Sequence, residues 1–237
     1  MHLNYYYTTL LILLTNPSRG TDLDIYYTKT FNNLPEEKKN RILKTAEQEF
    51  AGKGYLAASI KIIAAKADIS IGAMYRYFES KENLYMAIIS QAFAVLENSL
   101  WQISRKEGTL FEKIEMMLHA IRAYAQNNPD LVRIYIDSTT EGVSALSSVL
   151  SEKNEAISAH HYNALIKEAK EQKLIAPGLD EGVAAYCIDN ILMVYLFSNA
   201  SEYYRRRMQI YAPETLGDDN RMIDGIMQFI RSALQEL

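Results

Sequence analysis

Apolar residues recur at three- and four-residue intervals along most of the chain, and short runs of Gly, Pro, Asn, Asp and Ser interrupt them. This spacing is typical of amphipathic helices separated by turns. It predicts an all-α fold of nine helices, three short ones near the N terminus and six in a second bundle. The predicted helices span roughly 34–53, 60–67, 71–78, 81–106, 110–126, 129–140, 144–174, 180–211 and 220–235.

The segment from Ala58 to Leu84 predicts two short helices joined by a tight turn, followed by the start of a third. Ser59, Ser70 and Ser80 each precede a helix and are expected to cap it. Asp68 lies in the turn, where an aspartate tolerates a left-handed backbone. Two short helices in this arrangement form a helix-turn-helix, which presents its second helix to the major groove of DNA.

The helix predicted over residues 71–78 has two faces. Met74 and Phe78 lie one turn apart and are expected to hold it against the preceding helix. The residues expected to face outward are Gly72, Ala73, Arg76 and Tyr77. Before the motif, Gly54 is expected to end its helix with a left-handed backbone.

Charge is unevenly distributed along the chain. The net charge is −4, whereas the stretch 52–82 carries five cations and three anions. A modest basic patch on an acidic remainder is typical of a small DNA-binding domain attached to another domain, and it disfavours a protein that coats long nucleic acid. The hydrophobic content of 49% excludes global disorder.

Cysteine usage and the N-terminal segment both favour a cytoplasmic protein. Cys187 is the single cysteine, so one chain has no internal disulfide, and its apolar helical surroundings predict a buried side chain. The apolar stretch at 5–14 lacks the basic residues and cleavage site of a secretory signal. At about ten residues it is also too short to span a membrane.

Residues 1–33 are the least patterned part of the sequence. They predict an extension that is loosely ordered or weakly docked, with a turn or linker at Asn16–Gly20. The alternative is an apolar segment that packs on the body of the protein or on a partner chain.

The motif residues resemble those of the tetracycline-repressor (TetR) family of bacterial transcriptional regulators. The chain reads I-L-x-x-A-x-x-x-F-x-x-x-G-Y from Ile42 to Tyr55 and S-x-x-x-I-A-x-x-A-D-I-S from Ser59 to Ser70. It continues G-A-M-Y-x-Y-F-x-x-K-E-x-L from Gly72 to Leu84. The resemblance covers about a fifth of the chain; the remainder is similar only in its helical architecture.

This resemblance implies which residues contact DNA. Ser59 and Lys61 match positions that touch a phosphate or a nearby base, and Tyr77 and Lys81 match phosphate anchors. The groove-facing helix and its cap comprise Ser70, Ile71, Gly72, Ala73, Tyr75 and Arg76.

Two residues depart from the family pattern. Asp68 stands where the family usually has Gly, which predicts a slightly strained turn. Ile71 stands where a polar residue is common, so hydrogen-bond readout of bases depends on Arg76 and Lys61. Ile71 and Ala73 are expected to add apolar contacts to thymine methyl groups.

Aromatic and methionine side chains at helical spacing mark the second bundle. They are either ordinary core or the lining of an effector pocket that is partly polar, because buried tyrosine hydroxyls need partners. The candidates for this pocket are Met117, Tyr124, Tyr135, Tyr162, Tyr186, Met193 and Phe197. They favour an apolar or aromatic effector.

Enzymatic and metal chemistry find no support in the sequence. No Gly-rich phosphate loop, serine nucleophile elbow or cysteine cluster occurs. His160 and His161 are adjacent on a helix and point about 100° apart, which disfavours a shared metal. Glu115 and His119 are four positions apart and could share a metal, but the Glu-x-x-His pair of di-iron bundles is absent. We therefore expect no metal and no cofactor.

The family resemblance also implies a homodimer formed by the last two helices. Their apolar residues are Ile191, Val194, Tyr195, Ile226, Phe229 and Ile230, which fit intrachain packing equally well. The expected organisation is an extension (1–33), a DNA-binding domain (34–80) and an effector-binding and dimerisation domain (81–237).

The expected function is a cytoplasmic, ligand-responsive transcriptional repressor that binds a palindromic operator and is released by a small molecule. Activation is the alternative within the same family. A helical-bundle enzyme or small-molecule carrier, or a protein-interaction module, is the alternative outside it. Salt-dependent binding of DNA by a dimer would exclude both of the latter.

Overall fold

The computed structural model describes residues 26–140, 143–215 and 218–235, and every regular element in these ranges is helical. The all-α prediction is therefore confirmed. The helices, labelled α1 to α11 in chain order, are Lys29–Asn32, Glu36–Ala57, Ile60–Lys66, Ile71–Phe78, Lys81–Ser104, Leu110–Asn127, Pro129–Ser138, Ser144–Glu171, Glu181–Ala200, Glu202–Tyr211 and Asp219–Leu234. A 3-10 turn, Pro213–Thr215, precedes α11.

The observed helices differ from the predicted ones at two places in the chain. The short α1 was not predicted. The helix predicted over 180–211 is interrupted at Ser201, whose backbone is extended (φ −95°, ψ 133°), and it forms α9 and α10. Serine favours helix ends because its side chain competes for backbone hydrogen bonds. Glu202 then begins α10, where the helix dipole favours an acidic residue in the first turn.

The chain forms two compact units. The N-terminal unit contains the described residues up to Val95 together with Asp130–Ser151, so it includes α1 to α4, the first part of α5, and nearly all of α7. The C-terminal unit contains Leu96–Pro129 and the described residues from Glu152 onward. The predicted domain boundary after residue 80 assumed that each domain is continuous in sequence. In the structure, α7 belongs to the same compact unit as the helix-turn-helix.

Phe31, on α1, anchors the start of the N-terminal unit. Its side chain is 2% exposed, and its ring lies 4.6 Å from that of Phe78 and 5.9 Å from that of Tyr77. Residues 26–33 therefore form part of a packed core, as in the alternative interpretation of the N-terminal segment. The stretch 5–14 and Asn16–Gly20 lie outside the described residues.

The C-terminal unit is built around α6, α9 and α11. Thr109 and Glu112 form a capping box that starts α6. Inward-facing residues of α9 include Ala184, Ala185 and Ile188. Cys187 is exposed, so the prediction of a buried thiol was wrong. It lies one position before Ile188, about 100° around the helix from that buried residue.

By length and composition, one helix among those described is long and apolar enough to cross a membrane. It is α9, and half of its most apolar stretch is buried inside the unit. A core helix of a folded domain meets the same criterion.

The packing of Phe31 generates a stability prediction. Phe31→Ala leaves a cavity beside Tyr77 and Phe78, and it should lower the free energy of unfolding by about 3 kcal/mol. Urea denaturation followed by circular dichroism should show a lower midpoint at an unchanged m-value. Asn33→Ala, a change at an exposed neighbour, should be close to neutral. Equal midpoints for the two variants would show that the segment is not part of the core.

Candidate nucleic-acid interface

The turn between α3 and α4 has the predicted backbone. Asp68 has a φ of 55°, in the left-handed region. The Ile69 N–H donates to the carbonyl of Ala64 at 3.0 Å, and the Arg41 Nε–H donates to the carbonyl of Ala67 at 3.1 Å. These bonds satisfy carbonyl groups at the end of α3, so the turn is closed by the protein itself.

The predicted helix caps are confirmed for α4 and α5 and wrong for α3. The Ser70 Oγ accepts from the Ala73 N–H at 3.1 Å, and the Ser80 Oγ accepts from the Asn83 N–H at 3.0 Å. Ser59 has the extended backbone of a capping residue, but its side chain makes no capping hydrogen bond. Its own N–H instead donates to the carboxylate of Glu49 at 3.4 Å.

The buried face of α4 is wider than predicted. Met74, Tyr77 and Phe78 are 1%, 7% and 1% exposed, and they share one face through their three- and four-residue spacing. Tyr77 therefore does not face outward, because Phe31 packs against its ring. Ala73, also expected to face outward, is half-buried and packs against the same core.

The exposed face of α4 carries side chains suited to a DNA groove. Ile71 and Tyr75, one turn apart, are 43% and 48% exposed, and Arg76 is exposed beside them. A Cβ built on Gly72 would meet nothing within 4 Å, so packing within the protein does not require a glycine here. Lys61, on α3, is also exposed. The accessible surface is therefore mixed apolar and cationic.

Lys81 is held at the start of α5 by contacts within the unit. Its Nζ donates to the carbonyl of Leu56 at 3.1 Å and lies 4.8 Å from the centre of the Tyr55 ring. Burial lowers the pKa of Lys81 from its ordinary value. The ammonium group lies at the C-terminal end of α2, where a cation is favoured.

Asp137, on α7, joins that helix to α2 and α5. Its Oδ2 accepts from the Tyr55 N–H at 2.9 Å and from the Tyr85 hydroxyl at 3.2 Å. Burial, and then the charge of Asp137, raises the pKa of Tyr85, which keeps the hydroxyl protonated as a donor. The rings of Tyr55 and Tyr85 are 4.8 Å apart, and that of Phe50 lies 5.0 Å from Tyr85.

Gly54 completes this arrangement and ends the regular part of α2 as predicted. Its backbone has a φ of 71° and a ψ of 165°, a conformation that side-chain-bearing residues avoid. A Cβ at this position would also lie 3.1 Å from the Oδ1 of Asp137. Sequence analysis had no signal for Asp137, which is separated from Tyr55 by 82 positions.

The residues predicted to line an effector pocket do not lie in one place. Met117, Tyr124, Tyr162 and Phe197 are buried in the C-terminal unit. Tyr186 is 69% exposed, and Met193 is half-buried. Tyr135 belongs to the N-terminal unit, where its ring meets that of Phe93 at 4.6 Å.

A groove of about 520 Å³ in the C-terminal unit lies between α9, α10 and α11. Its lining includes four residues predicted for the dimer interface, Ile191, Val194, Tyr195 and Ile226. Arg207, on α10, contributes a cation to the same lining. None of the seven predicted pocket residues lines this groove.

The histidines do not assemble a metal site in the part of the chain that the structure describes. No group of three or more His, Cys, Asp or Glu side chains there is placed to hold an ion. The ring centres of His160 and His161 are 5.8 Å apart, and the ring planes are inclined at 65°. Burial lowers the pKa of His119, which favours a neutral ring within the unit.

Comparison with known proteins connects the helix-turn-helix to one family. Residues 42–88 match the sequence model of the bacterial regulatory proteins of the tetR family. The HTH-type transcriptional repressor KstR of Mycolicibacterium smegmatis is 25% identical over 112 residues, which cover 45% of this chain and 55% of that protein. The chain spans about half the length of the first curated relatives it matches.

Solved structures extend the likeness to most of the chain. The fatty acid degradation regulator FadR from Bacillus halodurans superposes with a TM-score of 0.66 at 17% identity, covering 83% of this chain and 99% of that chain. AibR, solved in complex with isovaleryl coenzyme A and operator DNA, superposes with a TM-score of 0.59 at 17% identity, covering 81% and 97%. At these identities the likeness concerns the fold.

The Asp137 contacts predict a large effect of one substitution. Asp137→Ala removes the acceptor of the Tyr55 N–H and leaves the Tyr85 hydroxyl with only the carbonyl of Ile134 at 3.4 Å, so it should lower the free energy of unfolding by about 2–3 kcal/mol. Asp130→Ala is the control on the same helix, because Asp130 pairs with Arg133, whose side chain is 52% exposed, and its loss should cost under about 1 kcal/mol. Urea denaturation of both variants tests this, and similar midpoints would contradict it.

Proposed function

We propose that this chain is a member of the tetR family of bacterial regulatory proteins and a cytoplasmic repressor that binds operator DNA as a homodimer. A small-molecule effector releases it from the operator. The observation that carries the proposal is the division of α4 between a buried and an exposed face. Met74 and Phe78 fix the helix in the core, and Tyr75 and Arg76 remain accessible to a groove.

The exposed residues suit distinct parts of a DNA duplex. Arg76 carries the fork of donors that pairs with the O6 and N7 atoms of guanine, and Ile71 suits a thymine methyl group. Ser59 and Lys61 suit phosphate, since the Ser59 hydroxyl makes no capping bond and Lys61 is exposed.

We propose more limited phosphate contacts for Tyr77 and Lys81, because contacts within the protein already occupy much of both side chains. Tyr77 is 7% exposed, so any contact with DNA involves a small part of its surface. Lys81 already donates to the carbonyl of Leu56, which leaves the other donors of its ammonium group for a phosphate. Tyr77 also packs against Phe31, and Lys81 also binds the carbonyl of Leu56, so both side chains stabilise the surroundings of α4.

An exposed apolar surface supports the homodimer. On α9, Val183 and Tyr186 are 60% and 69% exposed, and on α11 Phe229 is 64% exposed. A dimer interface formed by α9 and α11 would cover these large apolar side chains. A two-fold symmetric dimer would place two copies of α4 about 34–36 Å apart on a palindromic operator.

Effector control requires that the ligand bind two states of the protein unequally. We propose an apolar or aromatic small molecule bound by the C-terminal unit, whose interior contains Met117, Tyr124, Tyr162 and Phe197. The helix α5 contributes residues to both units and is the proposed lever. The neighbour AibR, solved with both an acyl coenzyme A and operator DNA, supports a regulator of this type.

Activation is the alternative sign of regulation on the same DNA contacts. A promoter fusion in a deletion strain separates the two, because loss of a repressor raises expression and loss of an activator lowers it. The relative KstR is a transcriptional repressor, which favours repression for this chain.

DNA binding is tested with a duplex that the wild-type protein selects from a randomised pool. Arg76→Ala should weaken binding to that duplex about 10-fold or more, since a good base contact is worth about 1–3 kcal/mol. Arg133→Ala removes an exposed arginine of α7 in the same unit and should leave affinity unchanged. The measurement is fluorescence anisotropy over a salt series. Enrichment of no sequence by the wild-type protein would refute the proposed function.

Dimerisation is tested by placing a charge on the exposed apolar surface. Phe229→Asp should convert a dimer into monomers in sedimentation velocity, because an unpaired carboxylate buried in an interface is strongly unfavourable. The control is Leu56→Asp, which places the same charge on a 71% exposed leucine of the other unit. In the wild-type dimer, Cys187 on α9 should also react more slowly with a maleimide than in the variant. A dimeric Phe229→Asp protein would place the interface elsewhere.

A further inference from the structure

The C-terminal turn of α4 depends on residues outside the helix-turn-helix. The last four carbonyl groups of a helix have no partner within it. In α4 the carbonyl of Tyr75 accepts from the Glu79 N–H at 2.8 Å. The carbonyl of Phe78 accepts from the Ser80 N–H at 2.7 Å, across the positive φ of Glu79. These local bonds leave two carbonyl groups.

Thr28 satisfies both of the remaining groups. Its N–H donates to the carbonyl of Tyr77 at 2.9 Å, and its Oγ1 donates to the carbonyl of Arg76 at 2.9 Å. The final turn of the DNA-facing helix is therefore closed by a residue 48 positions before Arg76. Thr28 also precedes the stretch 42–88 that defines the family match.

The side chain of Thr28 serves α4 instead of its own helix. Thr28 stands at the capping position of α1, with an extended backbone, but it makes no side-chain bond to α1. A threonine at this position ordinarily accepts a hydrogen bond from the first turn of the helix that it precedes. Phe31, buried against Tyr77 and Phe78, holds α1 in place for the contact.

Lys29 follows Thr28 directly and is exposed. It lies two positions before the buried Phe31, so a helical backbone directs these two side chains to opposite sides of α1. Lys29 is the one charged residue of the segment Tyr26–Asn33. The hydrogen bonds of Thr28 thus fix an exposed cation beside the end of α4 that carries Arg76.

We propose that α1 extends the DNA-binding surface. Lys29 binds a backbone phosphate at the edge of the groove that α4 enters, and Thr28 is a positioning residue that fixes the last turn of α4. This inference rests on the proposed DNA-binding function and adds to it contacts that lie outside the helix-turn-helix.

The phosphate contact is tested by the salt dependence of binding to the selected duplex. Each phosphate contact contributes about 0.9 to the slope of log K against log salt, so Lys29→Gln in both chains of a dimer should reduce the slope by about 1.8. Lys167→Gln removes an exposed lysine of the C-terminal unit and should leave the slope unchanged. An unchanged slope for Lys29→Gln would overturn the assignment of Lys29.

The positioning role is tested by sequence discrimination. Thr28→Val removes the bond to the carbonyl of Arg76, and it should reduce the ratio of affinities for the selected and a scrambled duplex by about fivefold. Thr28→Ser keeps the hydroxyl and should restore the ratio. Simple loss of folded protein lowers both affinities equally and leaves the ratio unchanged, so an unchanged ratio would overturn the role of Thr28.

The two levels of inference fail separately. A wild-type protein that selects no DNA sequence would remove the proposed function and this inference with it. A wild-type protein that selects a sequence, together with Lys29 and Thr28 variants that behave like it, would remove only the role of α1.

Discussion

The carboxylate of Asp137 is the interaction on which the arrangement of the N-terminal unit depends. It accepts hydrogen bonds from the backbone of Tyr55, at the end of α2, and from the hydroxyl of Tyr85, in α5. Lys81 lies over the same Tyr55 ring and binds the carbonyl of Leu56. Asp137, on α7, therefore fixes the end of α2, and the end of α2 in turn holds Lys81, a proposed phosphate anchor.

The DNA-facing helix α4 is fixed by three different kinds of contact. Ser70 caps its first turn, Met74 and Phe78 bury its inner face, and Thr28 closes its last turn. Only the first two belong to the helix-turn-helix pattern. A short helix gains little stability from its own hydrogen bonds. The cap, the buried face and the bonds of Thr28 therefore determine how rigidly Arg76 is held on the surface.

Local chemistry explains which features the sequence could predict. The cap at Ser70, the left-handed turn at Asp68 and the positive φ of Gly54 depend on neighbouring residues, and the structure has all three. Helix boundaries in the patterned parts of the chain agree within a few residues, because the apolar periodicity reports which face is buried.

Contacts over long sequence distances account for what sequence analysis missed. Tyr77 was expected to face solvent because Phe31, which covers it, lies in a segment without clear periodicity. The bonds of Asp137 likewise join residues that no local pattern relates. Cys187 was misplaced for another reason, since the strong apolarity of α9 conceals which of its faces is inward.

The N-terminal unit is made of two separate stretches of the chain, and this affects the order in which it is synthesised. Asp137 follows Tyr85 by 52 positions and Tyr55 by 82, and α6, which lies between, belongs to the other unit. A ribosome adds about 5–20 residues per second, so the unit waits several seconds for α7 after α5 has been made. During that interval the Tyr55 N–H and the Tyr85 hydroxyl lack their acceptor, and the nascent helix-turn-helix is a less stable body than the finished one. The N-terminal unit is therefore not one continuous fragment of the chain, and it is completed only after α6 of the other unit has been made.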